Sequence, residues 1–352
     1  MTKKRILVTG GSGLVGSAIS SLYYDSSYDF VFVSSKQYDL LSFDQCKKMF
    51  SEYKPEIVIH LAACVGGLFK NMNQKVRMFE DNIMMNFNVV KCAYESGVEK
   101  LVACLSTCIF PDLTTYPICE EMLHNGSPHS SNDCYAYAKR MLEVQCRAYR
   151  ENFGANFVCV IPTNIYGEHD NFSLTDGHVI PALIRKCYIA KETGEPFVVC
   201  GTGRPLRQFI YSSDLAKLIM WVVENFDGDL LILSPEEEVS IHKVALEIAW
   251  SFGMENQIIF DDSFSDGQYK KTADNRKLMG LLGNEFKPTQ NLIHSVDSHS
   301  SQSMTDKEII PSPEGTDLSI QRFKFTPIQE GIPRVCKWFR DAINDPTISI
   351  RL

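Results

Sequence analysis

An apolar run, Ile6–Val8, ends at Thr9 and passes directly into Gly10-Gly11-Ser12-Gly13-Leu14-Val15-Gly16, where a helical pattern opens. No other feature constrains the fold as much as this strand–glycine turn–helix junction. A helix leaving the carboxyl end of a strand so tightly packs back over the sheet, and the next strand then runs parallel to the first. The alternation recurs. Ile6–Val8, Phe30–Val33, Ile57–Leu61, Leu101–Leu105 and Phe157–Ile161 read as buried parallel strands, each nearly continuous in apolar residues. Val15–Tyr24, Phe43–Tyr53, Asn82–Ser96 and Tyr135–Asn152 are long enough to be crossover helices. The expectation is an α/β chain with a doubly wound parallel sheet and ligands at the carboxyl ends of its strands.

The second half is more mixed. Phe197–Cys200 and Leu230–Leu233 read as strands, and Val179–Lys191, Ser213–Asn225, Ile241–Phe252 and Ile328–Ala342 as helices. This predicts a dinucleotide-type domain over residues 1–170, to which the chain partly returns at about 205–235, and a smaller mixed α/β substrate-binding lobe over 171–352. Residues 284–320 (SVDSHSSQSMTDKE, PSPEGTD) break the pattern. Their apolar density is too low to offset ordering entropy, which predicts a flexible insertion.

Composition excludes some roles. A net charge of −8 argues against a general nucleic-acid or membrane-surface function, both of which want a basic footprint. No run is long enough for a membrane span, and the first apolar run is too short for a secretory leader. The 12 cysteines are scattered without CxxC pairs or metal-ligand spacing, so a cytoplasmic protein with reduced thiols and no metal is expected.

The glycines carry the first functional signal. Gly10 suits a tight turn, Gly13 a close backbone approach to a pyrophosphate, and Gly16 close packing of helix on strand. The helix start adds free N–H donors. About twenty residues on, where an NAD site usually has a carboxylate, the chain reads Ser34-Ser35-Lys36. Hydroxyls and an ammonium suit a 2′-phosphate, so NADPH is the expected cofactor. A solvated strand end is the plain alternative.

Tyr135-Ala136-Tyr137-Ala138-Lys139 opens a helix, and the i, i+4 spacing puts Tyr135 and Lys139 on one face. A phenol of pKa ~10 becomes a better acid–base beside an ammonium. Ser106, at the end of the fourth strand, adds a second donor to the same carbonyl oxygen, with Thr107 as fallback. Alone, YxxxK is a common helix surface; after a dinucleotide turn it points to hydride transfer to a ketone.

Together TGGSGLVG, LSTCIFP, the YAYAK helix, VIPTNIYGEHDNF and DGHVIPALI resemble the extended short-chain dehydrogenase/reductase family, and within it the GDP-4-keto-6-deoxy-D-mannose 3,5-epimerase-4-reductases. The likeness runs from about Lys4 to Leu282 and resumes near Phe323 in FKFTPIQEGI. It implies a Rossmann fold, NADPH, a GDP-sugar substrate, GDP-L-fucose as product and a homodimer. It also implies that Cys108 is the base and His178 the acid that invert C3 and C5, whose protons are acidified by the C4 ketone. Tyr135 and Ser106 hold the enolate oxygen, and Tyr135 then gives the proton as hydride reaches C4. Pro162, Thr163, Asn164 and Ile165 line the nicotinamide with Lys139 and His178, and Asn164, Lys186, Cys200, Arg207 and Asp266 meet the substrate. Cys200 stands where relatives carry Trp.

Three alternatives stay open on the sequence. A nucleotide-sugar 4-epimerase would recycle a tightly held NAD. A 4,6-dehydratase would want an acidic pair where this chain has Thr107-Cys108. A non-catalytic NADP-binding scaffold on the same fold would need none of the acid–base set.

Overall fold

A computed structural model describes residues 3–23, 26–264, 266, 268–283 and 323–352. Its centre is a six-stranded parallel sheet in the order β10-β5-β4-β3-β1-β2. These strands are β1 (Arg5–Thr9), β2 (Asp29–Val33), β3 (Ile57–His60), β4 (Lys100–Cys104), β5 (Phe157–Pro162) and β10 (Leu230–Leu233). Their near-continuous apolar character follows from cover on both faces. Leu7, Val58, Leu101 and Phe157 point into one core with α2 (Phe43–Tyr53), α4 (Lys75–Glu95) and α5 (Asp133–Phe153). Ile6, Val8, Ile59, Val102 and Val160 point into the other with α1 (Leu14–Leu22) and α7 (Ser212–Asn225). The expected doubly wound α/β sheet is what the chain forms.

A third core lies outside the sheet. It is built on α6 (Val179–Thr193), α8 (Ile241–Phe252) and α10 (Ile328–Asn344), and β7 (Phe197–Cys200) pairs there with β12 (Ile258–Asp261). Two more short pairs join the layers: β6 (Asn164–Tyr166) with β9 (Phe209–Tyr211), and β8 (Leu206–Arg207) with β11 (Val239–Ser240). A short helix, α3 (Leu68–Asn73), precedes α4.

Two elements differ from the sequence pattern. α4 starts at Lys75, seven residues before the expected Asn82, because its first turns bury a single apolar side chain, Met78, while Val76 and Phe79 are exposed, so no inward apolar stripe marks them. The chain also returns to the sheet a second time, through α9 (Arg276–Leu282), whose Leu278 and Leu282 join the core under α7. The insertion expected over 284–320 lies outside the described residues.

Candidate active site

At the end of β1 the glycine turn is tightened from within. Gly10 has φ +70°, a conformation that favours glycine, and its carbonyl accepts Gly13 N–H at 2.9 Å. A Cβ on Gly10 would lie 2.8 Å from Ala62 N, and one on Gly11 2.7 Å from Phe32 Cβ, so these two glycines face the neighbouring strands. Gly16 plays a different part from the expected strand packing. Its Cβ would meet the carbonyls of Gly11 at 2.5 Å and Gly10 at 2.7 Å, so Gly16 lets α1 start against the turn itself. Gly13 caps α1 without a side-chain hydrogen bond, which leaves the first N–H groups free for an anion. Ser12 is exposed over the turn, Leu14 and Val15 pack into the core below, and Lys36 is exposed just past the end of β2. Beneath the turn His60 is fully buried, hydrogen-bonded to the Thr9 hydroxyl at 2.7 Å and the Asn86 amide oxygen at 3.0 Å.

Beyond β4 the chain enters a single 3-10 turn, Thr107–Ile109, capped by Ser106, whose Oγ accepts Cys108 N–H at 3.5 Å. That bond uses an oxygen lone pair, and the Ser106 hydroxyl also hydrogen-bonds the Cys108 thiol. Arg140 on α5 donates to Ile109 O, and Lys139 donates to Cys104 O at 2.7 Å, which fixes α5 across the end of β4. Tyr135, one turn earlier, lies within electrostatic reach of the thiols of Cys108, Cys104 and Cys64. Ser106, Cys108, Tyr135 and Lys139 therefore share one site. Thr107, the fallback donor, is buried.

Charge in this site is set mainly by burial. Desolvation holds the Tyr135 phenol well above its ordinary value and pulls the Lys139 ammonium down. Burial outweighs any effect of the Lys139 ammonium on the phenol, and that ammonium donates to Cys104 O. A phenol held protonated is what delivering a proton to a ketone requires. Burial also raises the Cys108 thiol, opposed by the Ser106 hydrogen bond and the charges of Lys271 and Lys139.

His178 caps α6 with extended backbone and makes no capping hydrogen bond. Its turn packs on the loop after β3: Gly67 N–H donates to Asp176 O at 2.9 Å, and a Cβ on Gly67 would lie 2.5 Å from Gly177 O. That loop also carries Cys64, one of the thiols whose charge acts on Tyr135. At the end of β5, Pro162 pairs with Leu233, Ile165 packs against the core, and Asn164 donates its amide to Gln208 O at 3.0 Å. The buried Thr163 Oγ1 has no hydrogen-bond partner among the described residues.

The remaining predicted residues form a second group. Cys200 is exposed beside Lys186, with Sγ and Nζ 3.7 Å apart. Asp266 accepts Thr202 N–H at 2.7 Å and the Thr202 hydroxyl at 2.6 Å, so it shapes the turn after Cys200 rather than presenting a free carboxylate. Arg207 donates to Gln268 O at 2.6 Å and Leu206 O at 2.7 Å.

Residues 6–231 match the NAD dependent epimerase/dehydratase family. A GDP-L-fucose synthase of Dictyostelium discoideum is 49% identical over 346 residues, which cover 97% of this chain and 96% of that protein. The chain belongs to this family, in its GDP-L-fucose synthase branch. A probable GDP-L-fucose synthase of Drosophila melanogaster is 46% identical over 292 residues, 79% of this chain and 91% of that one. The crystal structure of a GDP-L-fucose synthetase from Naegleria fowleri bound to NADP matches with a TM-score of 0.83 at 41% identity, covering 100% of this chain and 96% of that one.

One residue of the site has no sequence signal. Lys271 lines the same small cavity as Cys108, Asp112 and Gln268. Its segment is pinned there by the bridge between Ile118 and Ala273, with Ile118 N–H to Thr272 O at 2.8 Å and Asp274 N–H to Ile118 O at 2.7 Å. Burial lowers both Lys271 and Arg207. Neither has a carboxylate within ion-pair distance among the described residues. Asp112 acts on Lys271 and Glu238 on Arg207 only beyond ion-pair distance, so these two partly desolvated cations can still take an anion.

Proposed function

We propose that the protein converts GDP-4-dehydro-6-deoxy-D-mannose to GDP-L-fucose, inverting C3 and C5 and then reducing C4, with NADPH as cofactor. The observation that carries this reading is the meeting of a hydroxyl, a thiol and a protonated phenol, from Ser106, Cys108 and Tyr135, beside two cations, Lys271 and Arg207, that form no ion pair among the described residues.

The glycine turn fits a dinucleotide: its helix start has no side-chain cap, and the buried Thr163 hydroxyl at the end of β5 has no hydrogen-bond partner among the described residues. Gly10 to Gly16 hold the pyrophosphate, Lys36 with Ser34 and Ser35 take the 2′-phosphate, and Lys139 with Pro162 to Ile165 and His178 lines the nicotinamide end. Bound NADPH supplies the hydride for C4. Arg207 and Lys271 grip the GDP diphosphate, with Lys186, Cys200 and the turn held by Asp266 beyond it.

Cys108 removes the proton from C3 or C5 on one face of the ring. The electron pair moves to the C4 oxygen, where the Ser106 and Tyr135 hydroxyls stabilise it, and His178 returns a proton to the opposite face. Tyr135 finally protonates the C4 oxygen. Incubation with the keto sugar and NADPH tests the reading. Nicotinamide absorbance falls and the product is inverted at C3 and C5; no fall in absorbance removes the reductase assignment, and retained stereochemistry removes the inversion.

The same reading includes assembly and location. Met84 and Phe87 on α4 and Tyr137 and Met141 on α5 form an exposed apolar face on two packed helices, which supports a homodimer through paired helices. Among the described residues no helix is long and apolar enough to cross a membrane, and all 12 cysteines are free, which supports a cytoplasmic enzyme. We divide the chain functionally into a cofactor-binding domain over 1–170 and a substrate lobe over 171–352.

A further inference from the structure

Once the chain leaves β4 it is held by few hydrogen bonds. Leu105 N–H still donates to Val160 O at 2.8 Å, and Asp112 N–H donates to Ser127 O at 2.9 Å. Between these ties the turn bonds to itself: Ile109 N–H to Ser106 O at 3.2 Å, Phe110 N–H to Thr107 O at 3.4 Å and Cys108 N–H to Ser106 Oγ at 3.5 Å. Among the described residues a single hydrogen bond joins the stretch from Ser106 to Pro111 to the rest of the protein, from Arg140 Nε to Ile109 O at 2.5 Å. The donor sits on α5 next to Lys139, whose Nζ reaches Cys104 O at 2.7 Å. Two consecutive cations of one helix therefore hold the two ends of the segment that carries Ser106 and Cys108.

We propose that Arg140 is the positioning residue for Cys108, fixing the turn against the helix that also carries Tyr135 so that the thiol is aimed for the inversion step. The proposal rests on Cys108 being the base of the proposed reaction. In that step the Cys108 thiolate takes the proton from C3 or C5 and becomes a thiol, and the electron pair left on carbon moves to the C4 oxygen. Arg140 exchanges no proton in this cycle. Its part is geometric, and a base misplaced by about 1 Å loses about 10²-fold in rate. The two anchors divide the work: the Lys139 bond lies two residues before Ser106, and the Arg140 bond one residue after Cys108.

Stability does not account for an arginine here. Arg140 is only 5% exposed, it forms no ion pair among the described residues, and its Nη2 is buried without a hydrogen-bond partner there. The guanidinium lies 5.6 Å from the centre of the Tyr137 ring, one turn back on the same helix. Burying a guanidinium with no carboxylate is costly, and an apolar side chain of similar length would fill the space at less cost. Nor does the turn need Arg140 to stay in place. Ile109 and Phe110 are buried in the core shared by α2, α4 and α5, and these two side chains already fix its depth. What they leave free is the tilt of the turn, and a bond to its last carbonyl removes that freedom.

The test measures two steps separately in the full-length enzyme. Solvent deuterium entering C3 and C5 of the keto sugar, with NADP+ bound so that no reduction intervenes, reads the base. First-turnover oxidation of GDP-L-fucose by NADP+ reads hydride transfer at C4, before any proton leaves C3 or C5. Arg140→Met should slow exchange about 10- to 100-fold and leave the hydride step within about threefold of the wild type. Arg140→Lys keeps a donor for Ile109 O and should recover most of the exchange. Wild-type exchange in Arg140→Met overturns the proposal, and so does an equal loss in both steps, which would mean that the whole site has loosened. If Arg140→Met does not fold, Arg140→Lys decides, because a lysine variant that slows hydride transfer as much as exchange contradicts the proposal. Cys108→Ser separates this claim from the one beneath it: undiminished exchange there means that the base assignment itself is wrong, whatever Arg140 does.

Discussion

Replacing Tyr135 with phenylalanine removes one proton donor and little else. The ring lies half-buried in the first turn of α5, and its hydroxyl makes no hydrogen bond among the described residues, so Tyr135→Phe keeps the packing. The stability change is expected to stay within about 0.5 kcal/mol. The chemical loss is much larger. Burial holds the phenol well above its ordinary value, so it stays protonated throughout the neutral range and is the acid for the C4 oxygen. A positioned general acid contributes about 10²–10⁴ in rate, or about 3–5 kcal/mol of barrier. Single-turnover oxidation of bound NADPH by the keto sugar should slow by that factor, with NADPH affinity unchanged. Exchange at C3 and C5 should slow as well, because the enolate loses one of two donors, but Ser106 remains and reduction suffers more. Wild-type hydride transfer in a correctly folded Tyr135→Phe protein would show that another group protonates the ketone.

Three further outcomes follow from the structure. Lys271→Met should raise the KM for the GDP-sugar about 10- to 100-fold, the value of a charge-assisted phosphate contact of about 1.5–3 kcal/mol, without lowering thermal stability, since it removes a partly desolvated cation that forms no ion pair among the described residues; an unchanged KM would place the diphosphate elsewhere. Phe87→Asp, in the exposed face of α4 and α5, should shift sedimentation from dimer to monomer at micromolar concentration, and a persistent dimer would put the interface on another face. His60 is held down to about 3 by burial and then by the charge of Lys139. Its folded pKa is depressed, so the folded state stays neutral while the unfolded chain takes up a proton below about 6.5. Stability is then lost as pH falls from about 6.5 toward about 3, by up to about 1.4 kcal/mol per unit from this residue. Urea midpoints at several pH values should show that slope in the wild type and lose it in His60→Gln; equal slopes would exclude His60 as the cause.

Much of the fold was legible because its signals are local. Apolar runs covered on both faces, the glycine turn after β1, and the i, i+4 pair Tyr135 and Lys139 are each written within a few neighbouring residues, where chain stiffness and helical period decide the geometry. The start of α4 was not legible: of the apolar side chains in its first turns only Met78 is buried, while Val76 and Phe79 face outward, so no inward apolar stripe marks it. The two-residue strands β8 and β11 are too short to carry a period at all.

Around the site, residue types could be chosen by spacing, but their electrostatics could not. The sequence determined that a thiol follows Ser106 and that a histidine opens α6. Only the tertiary structure decided that Lys139 spends its ammonium on a strand carbonyl, that Lys271 comes to lie beside Cys108, and that Arg140 holds the carbonyl ending the Cys108 turn. Each of these depends on segments far apart in the chain, or on a turn closed by packing, and on how much water the fold leaves around a charge. No neighbour-to-neighbour pattern encodes that quantity.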